Sequence, residues 1–122
     1  MVFTKIKNMK KLISILLLFL TINVFAQEGE LDWHTDVNKA IELSIESEKP
    51  LFMFFTGSDW CGWCIRLQKE VFFKPDFVKW AKENLILVEL DFPRRKKLDE
   101  SLKQQNDNLR QMFAVRGYPT GW

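Results

Sequence analysis

The chain has 122 residues, 47% hydrophobic and 28% charged, with 18 Lys and Arg against 16 Asp and Glu. Domains usually run to about 100–200 residues, so this length holds one core and excludes a second; the apolar content, rich in Phe and Trp, excludes a disordered chain. The basicity sits in the first 26 residues: without their four lysines, 14 basic residues face 16 acidic ones, a net charge of −2 that gives no footing to nucleic acid or an anionic membrane.

That first stretch has the build of an export signal. Lys5, Lys7, Lys10 and Lys11 form a basic head, Leu12 to Phe25 is nearly all apolar, and Val24-Phe25-Ala26 places small residues where a signal peptidase reads. A membrane span needs ~20 apolar residues, and this run is shorter and interrupted by Thr21 and Asn23. Residues 1–26 are therefore expected to be a signal peptide cleaved after Ala26, with 27–122 as the mature domain, exported to the periplasm. Met9, ahead of Lys10-Lys11, offers a second start. No cysteine lies near the cleavage point, so membrane contact is expected through the signal alone.

Beyond a flexible start at Gln27–Glu30, Leu31-Asp32-Trp33 can begin a short edge strand. Val37, Ala40, Ile41 and Ile45 then fall on helical spacing, with Thr35 or Asp36 as N-cap and Lys49-Pro50 as the stop. Leu51 to Phe55 is apolar at every position, as a central strand buried on both faces would be. Turn chemistry at Thr56-Gly57-Ser58-Asp59 leads through Trp60 into a helix from Cys61 to about Glu70.

Pro75 opens another helix with Phe77, Val78, Trp80 and Ala81 as its apolar face, ending near Asn84. Leu85 to Asp91 is the next strand, and Arg94-Arg95-Lys96-Lys97 is a basic run of the kind that forms a solvated loop. Leu98 to Phe113 carries Leu102, Leu109, Met112 and Phe113 among polar residues, a surface helix with a modest stripe. Val115 to Thr120 is a loop entering a further strand. Helices alternating with strands imply a layered α/β fold.

The two cysteines, Cys61 and Cys64, are too close for a structural staple to be their purpose. A bridge across two residues closes a very short loop, and the loop-closure entropy that makes long bridges stabilising is small. Cys61 lies at the start of a helix, where unpaired N–H groups and the macrodipole favour an anion. Its pKa is expected below the free-thiol value of ~8.5, which makes it the nucleophile. Cys64, one turn on, is placed to resolve the mixed disulfide. Structural zinc needs about four ligands, and Cys61, Cys64 and a distant His34 do not supply them; haem attachment needs His directly after the second cysteine, where Ile65 stands. No metal or cofactor is expected. A Cu(I) or thiol-ligand binding module without turnover, and a non-catalytic fragment, stay open as alternatives.

From about Lys49 onward, the apolar strand, Trp60-Cys61-Gly62-Trp63-Cys64, the strand ending at Asp91 and Val115-Arg116-Gly117-Tyr118-Pro119-Thr120 resemble the thioredoxin superfamily. Phe72 through Pro75 to Phe77 is similar to exported members and to the C-terminal domain of the bacterial membrane disulfide reductase. The resemblance implies thiol–disulfide exchange with exported proteins, reducing or isomerising, by a monomer recharged by a redox partner. It makes Pro119 a cis-proline facing the cysteines, with Tyr118 offering backbone groups to an extended substrate. Trp60, Gly62 and Trp63 would flank the sulfurs and contact that substrate.

Two departures stand out. Many thioredoxins carry a buried aspartate six residues before the first cysteine, where this chain has Phe55. Glu89, on the following strand, is expected to supply the missing carboxylate, its pKa raised by apolar surroundings as a general base near neutrality requires. The resemblance also implies at least two more strands and a helix beyond Trp122. The expected fold is thus an incomplete thioredoxin-like sheet with Leu51 to Phe55 as an open, aggregation-prone edge.

Overall fold

The computed structural model describes residues 30–122; the signal segment expected at 1–26 lies outside the described residues. The order is β1 (Trp33–His34), α1 (Val37–Ser47), β2 (Leu51–Thr56), α2 (Gly62–Leu67), a π-helical turn (Gln68–Phe72), α3 (Pro75–Asn84), β3 (Ile86–Asp91), α4 (Glu100–Met112) and β4 (Thr120–Gly121). The strands form one mixed sheet in the order β1-β3-β2-β4, with β2 parallel to β3 and antiparallel to β4.

Each helix starts and stops for local reasons. The Asp36 carboxylate accepts hydrogen bonds from the Asn38 and Lys39 amides at 2.9 and 3.3 Å, capping α1. The helix ends at Glu48, whose backbone turns left-handed (φ 56°) ahead of Pro50. Only Val37 and Ala40 of its apolar spacing are buried, whereas Ile41 and Ile45 are exposed, because the sheet beneath is reached by a single narrow stripe. In α3, Pro75 occupies the first turn, where its missing N–H costs nothing. Ala81 packs inward and Trp80 stays largely outside.

The helix that follows Cys61 runs past its expected end at Glu70. A π turn closes with the Phe73 amide donating to the Gln68 carbonyl at 2.8 Å. In an unbroken helix of 3.6 residues per turn, Val71, seven residues after inward-facing Cys64, would take the buried place. The extra residue of the π turn hands that place to Phe72, which is 5% exposed, and leaves Val71 outside.

The two faces of the sheet pack differently. Met53, Phe55, Val88 and Leu90 meet Ala40 of α1 and Leu109 of α4 in an apolar cluster. On the other face, Phe54 packs with Cys61, Cys64 and Phe72, and Leu87 with Leu31 and Ala81. The expected open edge along Leu51 to Phe55 is corrected by β4. Thr120 and Gly121 pair with Phe55 and Phe54, and Met53 and Trp122 exchange backbone hydrogen bonds at 2.8 and 2.9 Å. The backbone edge is thus paired from Met53 to Phe55, whose side chains are buried in the cores on the two faces, while Leu51 and Phe52 are half-buried.

Candidate active site

β2 ends at Thr56, and Gly57 to Trp60 turns the chain into α2. The amides of Trp60 and Cys61 both donate to the Gly57 carbonyl, at 3.3 and 2.9 Å. Gly57 is required because a Cβ there would fall inside the Trp60 indole. Cys61 is the N-cap residue of α2, with extended backbone (φ −85°, ψ 99°). Its Sγ accepts the Cys64 amide at 3.2 Å, so the sulfur takes the position of a capping oxygen at the helix start.

Cys61 and Cys64 are joined in a disulfide with Cα atoms 5.3 Å apart. Cys64 is the more deeply buried, at 1% exposure against 5% for Cys61. Between them, Gly62 faces open space and the Trp63 ring is 68% exposed, with the Arg66 guanidinium 5.4 Å from its centre. The Tyr118–Pro119 peptide bond is cis. Pro119 joins Trp63, Arg66, Leu67 and Glu70 in lining a concavity of about 440 Å³ beside the disulfide. Trp60 meets Tyr118 edge to face at 5.8 Å and donates its Nε1–H to the Phe92 carbonyl at 2.7 Å. Of the expected site residues, Trp60 and Tyr118 pack against the cluster that holds Cys61 and Cys64, Pro119 shares its concavity with Trp63, and Gly62 is on the open side.

Glu89 lies one strand away. It is in register with Phe54, which belongs to the same buried cluster as both cysteines, so its side chain shares the disulfide face of the sheet. Desolvation at this half-buried position pushes its carboxyl above the ordinary value, Asp91 adds to the rise by like charge, and Lys96 offsets part of it. Phe55 does not face the sulfurs. Its ring stacks on Phe92 and leans on Phe113 in the opposite core, so Glu89 and Phe55 point to different sides of the sheet.

Several polar residues here escaped the sequence reading. Asp91 is buried and accepts from the Ser58 amide at 2.8 Å, the Ser58 hydroxyl at 2.5 Å and Lys96 Nζ at 3.1 Å. Asp59 accepts from the backbone amides of Arg94, Arg95 and Lys96 at 2.9, 2.7 and 3.0 Å. Those amides, the Arg94 amide foremost, hold its carboxyl down at about 2. The Thr56 hydroxyl is buried on the disulfide face without a hydrogen-bond partner. The Ser58-Asp59 pair before Trp60 was the available signal, but its partners lie more than 30 residues away. The basic run expected as a plain solvated loop is therefore tied by its backbone to the active-site turn.

A thioredoxin-like family model matches residues 32–120. The chain belongs to the thioredoxin-like family. It is 38% identical over 91 residues to the disulfide bond reductase DsbH of Chlamydia pneumoniae, covering 75% of this chain and 54% of that protein. It is 32% identical over 118 residues to the thioredoxin-related protein DsbJ of the same organism, covering 93% of this chain and 34% of DsbJ. A solved structure of a DsbH oxidoreductase superposes with a TM-score of 0.70 at 37% identity, over 75% of this chain and 62% of the other. The chain thus spans about half the length of the first relative and a third of the second.

Proposed function

We propose that this chain is an exported thiol–disulfide oxidoreductase that reduces disulfides in client proteins. The observation that carries the reading is Cys61 at the N-cap of α2, one turn from Cys64, in a chain that belongs to the thioredoxin-like family. The reducing direction draws on the similarity to a protein named disulfide bond reductase. Export draws on the signal-like segment 1–26.

In the reduced protein the Cys61 thiolate, stabilised by the helix start, attacks one sulfur of a client disulfide and expels the other as a thiolate. The Cys64 thiol then loses its proton and attacks the Cys61 Sγ. The internal disulfide forms, the second client sulfur leaves, and two protons end on the two client thiols. An external dithiol partner returns the electron pair.

Glu89 takes the Cys64 proton in this scheme, its raised pKa making it a stronger base than an ordinary carboxylate. Tyr118 and Pro119 line up an extended client backbone, while Trp60, Gly62 and Trp63 give it an open, apolar approach to the sulfurs.

Reduction of insulin by a dithiol-driven assay tests the reading. Cys61→Ser is expected to bring the rate to background, and Cys64→Ser to accumulate a mixed disulfide at Cys61. Insulin reduction that survives Cys61→Ser would overturn it. A Cu(I) module, by contrast, would show no Cys61-dependent rate in the unaltered protein.

A further inference from the structure

The β3–α4 loop places four cations, Arg94 to Lys97, on a mature domain whose net charge is −2. All four side chains are exposed, yet the loop is not loosely attached. Asp59 gathers three consecutive backbone amides of this loop, and Lys96 reaches back to Asp91, which also holds Ser58. Residues 58 and 59 directly precede Trp60 and Cys61, so the loop is fixed relative to the disulfide itself.

Charge is left over after this anchoring. Lys96 is paired, but among the described residues no carboxylate lies within ion-pair distance of Arg94, Arg95 or Lys97. Arg94 sits over the Trp60 indole, its guanidinium carbon 3.7 Å from the ring centre, a cation–π contact that seats the cation while the side chain stays exposed to a carboxylate. The same indole touches Tyr118, and Tyr118 packs on Phe92 at 5.1 Å. Loop, disulfide and Tyr118–Pro119 thus share one continuous aromatic surface.

An extended peptide advances at most about 3.3–3.6 Å per residue. With its cysteine at Cys61, a client therefore brings the second or third flanking residue to the neighbourhood of a cation seated on the adjacent Trp60. We propose that Arg94, supported by Arg95 and Lys97, is a specificity determinant that selects client segments carrying Asp or Glu within two or three residues of the reacting cysteine. This deepens the disulfide-exchange reading and rests on it.

Two peptides test it, each with one disulfide and identical except for an Asp pair or a Lys pair two and three residues from one cysteine. Serine-substituted, fluorescently labelled versions report binding to the oxidised full chain without turnover. The acidic peptide is expected to bind roughly fivefold more tightly at low ionic strength, the sum of a few exposed charge contacts. That preference should shrink to within about twofold in high salt. R94E/R95E should reverse it. R95E/K97E, whose native side chains form no hydrogen bond or ion pair among the described residues, should weaken it and covers the case in which loss of the Trp60 contact unsettles the first variant.

Equal affinity for both peptides, or a preference that survives both variants, would overturn the proposal. In the turnover assay, Cys61-dependent reduction of both disulfide peptides at equal kcat/KM also overturns it while leaving the exchange reading intact. No Cys61-dependent reduction of either peptide removes the reading beneath it.

Discussion

Phe54 and Phe55 are neighbours on β2, at 1% and 0% exposure, yet they belong to different halves of the molecule. Phe55 faces α1 and α4 in a core of apolar side chains, with Asn106 of α4 as its one buried polar side chain among the described residues. Phe54 faces the disulfide, and within two positions of it along β2 and β3 lie Thr56, Glu89 and Asp91. One face supplies cohesion. The other carries polar groups that an optimally packed core would leave out, as expected where chemistry rather than stability selects the residue.

The largest effects should come from truncating these two rings in turn. Removing a buried Phe side chain costs about 3–5 kcal/mol through lost burial and the cavity left behind, and both Phe54→Ala and Phe55→Ala should lower stability by that order in urea melts. They should part company in redox titration. Phe54→Ala opens space beside both sulfurs and is expected to shift the Cys61–Cys64 potential, whereas Phe55→Ala should leave it in place. Equal shifts in both variants would dissolve the division between the faces.

Glu89 sharpens the comparison at smaller scale. Its folded-state pKa lies above the ordinary 4.5, so between 4.5 and that raised value the folded protein binds a proton the unfolded chain has lost. Stability therefore falls as pH rises through this window. Glu89→Gln should match the wild type below pH 4.5 and exceed it at neutral pH, where the wild type holds a desolvated charge. The same variant should flatten the pH profile of mixed-disulfide resolution. A flat stability difference across the window would mean that the carboxyl is solvated and unsuited to the relay.

The apolar face was legible because burial on both sides of a strand leaves an unbroken hydrophobic run, as in Leu51 to Phe55, and because Pro75 and Asp36 mark helix starts by local chemistry. The redox pair was legible from the Cys61–Cys64 spacing together with the strand, turn and helix start that frame it. Besides the polar ties of Asp59 and Asp91, three things were not. The π turn was hidden because the stripe Cys64, Gln68, Val71 or Phe72 fits two helical pitches, and only packing against Trp33 and Phe54 decides for Phe72. The inward turn of Asn106, which donates to the Asp91 carbonyl at 3.0 Å, resembles any other polar residue on a surface helix. The pairing of β4 with β2 depends on a contact across more than 60 residues, and no local pattern in Thr120-Gly121 announces it.

The smallest expected effect concerns the tie between the active-site turn and the basic loop. Asp59 has its carboxyl held at about 2, below the ordinary 3.8, by the amides of Arg94, Arg95 and Lys96. A depressed carboxylate contributes stability above its unfolded pKa, and that contribution is lost as pH falls through the folded value. Asp59→Asn should therefore have a slightly lower urea midpoint at neutral pH, with the two proteins converging as pH drops from 3.8 towards 2. Because Asp59 is solvent-facing, the global shift should be modest, and hydrogen exchange is the sharper probe. The amides of residues 94–96 should lose protection in the variant, while those of Phe55 and Leu90 keep theirs. Undiminished protection at 94–96 would mean that the loop is held by the Lys96–Asp91 pair rather than by Asp59, and Lys96→Met would then be the change that frees it.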